Sequence, residues 1–179
     1  LKGELGRDGV PTYLRGKVIA GAGNLIDSDT PDYPMAIDSA EMSVEWDSGR
    51  RVLVAPFKIV SGANRITLLG HLEPPNGATT EWQAGLSGGT ILLAGADNEP
   101  PLIFNRINIG MRFDTDRKRV LLTQADISNG EIGIAGTGSI DYAGEARLQL
   151  GFAGTPMSAS ALKRIWPILI VPEVREWVI

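Results

Sequence analysis

Residues 40–46 read Ala40-Glu41-Met42-Ser43-Val44-Glu45-Trp46. Apolar side chains take every second position, and acids or serine fill the gaps. Successive side chains of a strand point to opposite faces, so this spacing predicts a strand with one buried face rather than a helix. Asp47-Ser48-Gly49 follows, where short polar residues and glycine tolerate a bend. Strand character resumes from Arg51 to Phe57 and again from Asn64 to Leu72, where Ile66, Leu68 and Leu72 share a face opposite Thr67 and His71.

The same period runs on towards the C-terminus. Trp82–Leu86 and Thr90–Ala94 flank Ser87-Gly88-Gly89, which reads as a hairpin turn. Ile107, Ile109, Met111 and Phe113 alternate with Asn108, Gly110 and Arg112, then Asp114-Thr115-Asp116 turns the chain and residues 119–125 return. Ile132, Ile134 and Ile140 oppose Thr137 and Ser139, and Leu148, Leu150 and Phe152 oppose Arg147 and Gln149. Gly3, Gly6 and Gly9 read as strand ends or bulges. The predicted fold is mainly β: a curved antiparallel sheet, open as a groove or sandwich-like, made of repeated meanders with short C-terminal helices.

Two turn types recur in the same order. Trp46-Asp47-Ser48-Gly49-Arg50-Arg51-Val52-Leu53 resembles residues 113–121 with one residue inserted, and Ser61-Gly62-Ala63-Asn64-Arg65-Ile66 resembles Ser128-Asn129-Gly130-Glu131-Ile132. This predicts two related meander units, about 36–72 and 104–140, inside a β region spanning 1–157. Residues 158–179 lose the period of two. Ser158 is placed to cap a short helix bearing Leu162, Ile165 and Trp166, and Pro172 to begin a second one, so this segment reads as a helical cap on the sheet.

Composition removes most chemistry. The 179 residues carry 17 basic and 21 acidic side chains, a net charge of −4 that disfavours nucleic acid as a partner. No cysteine and one histidine exclude thiol catalysis, disulfides and multi-histidine zinc sites. His71 sits on a polar strand face without a catalytic motif around it, and Glu41 and Glu45 read as solvated charges rather than a hydrolytic pair. Asp114-Thr115-Asp116 lacks the remaining ligands of a calcium loop, and Gly21-Ala22-Gly23 lacks the third glycine of a dinucleotide fingerprint. The expectation is a non-enzymatic protein with no cofactor and no metal. No basic-then-apolar leader is visible from Leu1 and the last residues are apolar, so the expectation is an excised soluble segment of something longer.

One surface remains to be explained. Met42, Val44, Trp46, Ile66, Leu68, Ile107, Ile109, Met111, Phe113, Ile132, Ile134, Leu148, Leu150 and Phe152 form the apolar side of the strands. In a closed sandwich they are core. In an open sheet they line a trough for the acyl chains of a phospholipid or similar lipid. Periodicity does not separate the two. Unsealed sheet edges also allow strand pairing between copies.

The run Leu162-Lys163-Arg164-Ile165-Trp166-Pro167, followed by Val171-Pro172-Glu173-Val174-Arg175-Glu176-Trp177-Val178, resembles a segment of AsmA-like bacterial envelope proteins, related to the YhdP and TamB group. Val44-Glu45-Trp46-Asp47, Arg50-Arg51-Val52-Leu53 and residues 64–70 resemble strands upstream of it, so the likeness spans roughly 36–179. It implies the periplasmic portion of a protein anchored in the inner membrane of a Gram-negative cell. It further implies stacked β-units, each neighbouring the next, that form a groove moving phospholipid between the inner and outer membranes. The family offers no catalytic residues to carry over. Two other functions fit the residues: a closed structural or protein-interaction module of the envelope, and a carbohydrate-binding β-sandwich using Trp46 and Trp82 as platforms.

Overall fold

The computed structural model describes residues 1–26, 35–78, 80–95, 99–143, 147–158, 160–161 and 164–165. The strands are β1 (Lys2–Leu5), β2 (Pro11–Ala20), β3 (Gly23–Leu25), β4 (Met35–Ile37), β5 (Ser39–Asp47), β6 (Val52–Ser61) and β7 (Asn64–Glu73). They continue with β8 (Trp82–Leu93), β9 (Leu102–Phe104), β10 (Arg106–Asp114), β11 (Arg119–Ser128), β12 (Gly133–Asp141) and β13 (Arg147–Gly154). An 11-stranded antiparallel sheet runs β1-β2-β5-β6-β7-β8-β10-β11-β12-β13, with β9 pairing β8 off this path and β3–β4 forming a separate two-stranded sheet. Because β1 and β13 end the order without pairing each other, the sheet is not closed.

The order follows from the connections. Short turns can join only antiparallel neighbours, so each alternating segment folds back on the one before it. β5–β6–β7 and β10–β11–β12 are both three-stranded meanders, and their first turns match in detail. Asp47 Oδ1 accepts from the Arg50 backbone N–H at 3.0 Å, and Asp114 Oδ1 accepts from that of Arg117 at 2.9 Å. The left-handed position falls on Arg51 (φ 53°) in one and on Lys118 (φ 51°) in the other. Both turns span the same number of residues between paired ends, Asp47↔Val52 and Asp114↔Arg119. The extra residue inferred from sequence is therefore not in the turn; Arg119 takes the place of Val52, and Leu53 matches Val120. The second turns differ, a two-residue link between Ser61 and Asn64 against a four-residue link between Ser128 and Gly133.

Ser87-Gly88-Gly89 is not a hairpin. β8 runs unbroken from Trp82 to Leu93, and both its halves pair with β7 across a register shift between Thr67 and Leu69. Gly88 (φ 63°) and Gly89 (φ 74°) form a bulge, because only glycine takes those angles without strain and a Cβ on Gly89 would run into the Thr67 carbonyl. Neither expected C-terminal helix is seen as an element among the described residues. Among the described residues, helical backbone is confined to Ser160, Ala161, Arg164 and Ile165, and the expected second helix from Pro172 lies outside them. Ser158 Oγ does accept from the Ala161 N–H at 3.1 Å. What holds this stretch is tertiary: Ala161 and Ile165 are buried against Leu93, Leu102 and Phe104, with Ile91, Ile127, Ile132, Ile134 and Met157 around them. Arg164 donates to Pro100 O (2.8 Å) and Glu99 (2.9 Å), and the Ser160 hydroxyl also donates to Glu99.

Candidate functional site

Cross-strand partners lie on the same face of a sheet, so the register sorts the side chains. One row reads Trp46↔Leu53↔Leu72↔Ala84↔Met111↔Leu122↔Gly138↔Leu150, from β5 across to β13. Counting by twos from that row, and allowing for the bulges, places Met42, Val44, Ile66, Leu68, Ile107, Ile109, Phe113, Ile134, Leu148 and Phe152 on its side as well. Ile132, just before β12, packs with Ile134 around the Phe104 cluster. All fourteen residues singled out from sequence therefore belong to one apolar side. Leu72, already read with Ile66 and Leu68, belongs to it too, as do Leu53, Phe57, Trp82, Leu86 and Leu122; pairing across the Ser61–Asn64 turn would have revealed Leu53 and Phe57.

Burial along this face is uneven. Trp46, Leu68 and Ile107 are buried, and Val44, Ile66, Ile109, Met111, Phe113, Ile132 and Ile134 are half-buried. Met42 and Leu150 are exposed, as are Leu148 (56%) and Phe152 (49%). Ten strands at about 4.8 Å spacing make the face roughly 43 Å wide, and the buried cluster around Phe104 occupies the part of it over β8, β9, β11 and β12.

The opposite face is polar over β2 and β5, while Val54, Leu69 and Leu121 add apolar side chains to it further along the sheet. Arg15, Lys17, Glu41, Ser43 and Glu45 share it, and Lys17 pairs with Glu41 at 2.7 Å. A depression of ≈ 940 Å³ lies between β2, β5 and β6, lined by Arg15, Lys17, Ser43, Glu45 and Pro56 of this face and also by Gly16, Val44 and Trp46. Pro56 explains its position. With no N–H to give β5, it leaves Ser43 and Val44 out of the β5–β6 pairing. Trp46 is buried and on the other side from Glu41 and Glu45, so it offers no platform beside those carboxylates. His71, also on the polar face, lies against Gly85, its partner on β8, where a Cβ would meet the imidazole. Among the described residues no group of three or more His, Cys, Asp or Glu side chains could hold a metal, and no helix is long and apolar enough to cross a membrane.

The ion pairs went unread in the sequence, and one of them perturbs its carboxylate. Arg119 and Asp141 face each other across β11–β12, and the guanidinium donates to both carboxylate oxygens, one of them at 3.1 Å. The hydrogen bond from Arg119 holds the Asp141 carboxyl below the usual carboxylate range, and the nearby charges of Arg119 and Arg147 act in the same direction. A lowered folded pKa adds stability above the unfolded value, and that stability drains away as pH falls through the lower one. Asp141→Asn is therefore expected to be less stable than wild type at neutral pH, with a gap that narrows as pH falls below about 4. Urea midpoints at the two pH values measure this.

In comparisons with known proteins, the chain matches no family model, no curated protein and no solved structure. The likeness to AsmA-like proteins rests on the residues quoted for it, and the stretch from Trp166 to Val178 lies outside the described residues.

Proposed function

We propose that this chain is a non-enzymatic section of an AsmA-like envelope protein. In this reading its apolar face is the curved lining of a groove for phospholipid acyl chains, and the parent protein carries phospholipid between the inner and outer membranes. The observation that carries it is the continuous apolar side from β5 to β13, much of which is half-buried or exposed. Each methylene moved from water onto such a lining gains about 0.8 kcal/mol, so transfer needs shape and hydrophobicity but no reacting group. The polar opposite face, with its charges spread over neighbouring strands, suits water. Bulges at Gly88-Gly89 of β8 and at Thr123-Gln124 of β11 lie in central strands on either side of β10, where bulges bend a sheet.

A structural or protein-interaction module whose apolar face is ordinary packed core is the second reading, favoured by the buried cluster around Phe104; closure of the sheet itself is not part of it, since β1 and β13 do not pair. Incubation with phosphatidylethanolamine–phosphatidylglycerol vesicles, re-isolation of the protein and mass spectrometry of extracted lipid separate the two. Wild type is expected to retain lipid. Met111→Asp buries a charge against hydrocarbon and is expected to lose at least about tenfold of it. Arg112→Asp, on the polar face, is expected to load as wild type. A folded Met111→Asp that loads fully would overturn the groove.

A further inference from the structure

The two edges of the sheet are built differently. β1 carries Lys2 and Glu4 and has an irregular register at Glu4/Leu5. Charge and a bulge are features that keep an edge strand from recruiting another. β13 has none of these beyond one terminal arginine. It is eight residues long, pairs with β12 in unbroken register, is exposed throughout and reads Arg147-Leu148-Gln149-Leu150-Gly151-Phe152-Ala153-Gly154. No proline, bulge or inward charge guards it.

We propose that two copies of this chain pair antiparallel along β13, with Leu150 opposite Leu150 of the second copy. The strand is complementary to itself in that register. Leu148 falls opposite Phe152 and Gln149 opposite Gly151, so the apolar residues of both copies stay on one face. The single charge, Arg147, falls opposite Ala153 rather than opposite its own copy, so no like charges meet. Outward backbone groups have the same parity in both strands and satisfy one another. A two-fold axis perpendicular to the sheet relates the copies, which makes the contact isologous and closed.

The absence of native cysteine makes the register testable. Directly opposed residues sit about 4.5–5.5 Å apart at Cα, inside the range a disulfide spans. Under mild oxidation Leu150→Cys is expected to give a disulfide-linked dimer. Gln149→Cys, displaced from its own copy by two positions, is expected to link at least tenfold more slowly. Sedimentation of the 179-residue wild type over about a hundredfold concentration range is expected to show a monomer–dimer equilibrium. Leu150→Lys, which brings two charges together at the axis, is expected to sediment as monomer with an unchanged circular dichroism spectrum. A wild type that stays monomeric, equal linking at positions 149 and 150, or an undiminished Leu150→Lys dimer would each overturn the proposal. No lipid enters these measurements, so their failure is separate from failure of the groove.

Discussion

Phe104→Ala is expected to lower stability by about 3–5 kcal/mol, the range for removing a large aromatic side chain from a packed site. Phe104 is 2% exposed, the most enclosed large side chain among the described residues. It stands on β9, a three-residue strand whose other buried residue is Leu102, and it touches the cluster that receives Ala161 and Ile165. Removing the ring leaves a cavity between the sheet and the C-terminal stretch. The surrounding backbone is tied down on both sides, by the β8–β9 pairing and by Arg164 on Glu99 and Pro100. Collapse into the gap is therefore limited, which puts the loss toward the upper end. Phe152→Ala supplies the contrast, since Phe152 is largely exposed and its loss is expected to stay within about 1 kcal/mol. Urea denaturation of the two variants measures the difference.

Gly89→Ala is expected to be the second large loss. A left-handed backbone costs an alanine about 1–2 kcal/mol, and the new methyl group meets the Thr67 carbonyl, a backbone atom that cannot swing away. Overpacking of that kind adds about 1–3 kcal/mol. Gly77 is the matched control, because its φ is ordinary and nothing lies within 4 Å of an added Cβ. Gly77→Ala is expected to change stability by less than about 0.5 kcal/mol. Thermal denaturation followed by circular dichroism measures both.

Much of the sheet was legible because alternation survives in the strands that define it. Ala40 to Trp46 and Ile107 to Phe113 keep a strict period of two, and the register places both on the apolar side. β2 was harder to read. Gly16 falls where its face calls for an apolar side chain, and Ile19 falls on the polar face, so the pattern breaks twice in ten residues. The Gly88-Gly89 pair was misassigned because a hairpin and a bulge ask for the same left-handed glycines. What separates them is whether both flanks pair with β7, a long-range fact that local sequence does not carry. The Arg119–Asp141 pair was hidden for the same reason: the partners are 22 residues apart and meet only once the β11–β12 register is set. Expectation of two helices at the end leaned on capping and spacing, whereas burial of Ala161 and Ile165 and the contacts of Arg164 and Ser160 with Glu99 are tertiary.

The most direct measurement uses two single-cysteine variants, Met111→Cys and Arg112→Cys, each labelled with the same polarity-sensitive fluorophore and titrated with phosphatidylethanolamine–phosphatidylglycerol vesicles. These neighbours on β10 point to opposite faces. A blue shift at position 111 with little change at 112 is the expected result, since hydrocarbon then reaches one side of the sheet. Equal shifts at both positions, or none at 111, would contradict an acyl-chain site on the apolar face.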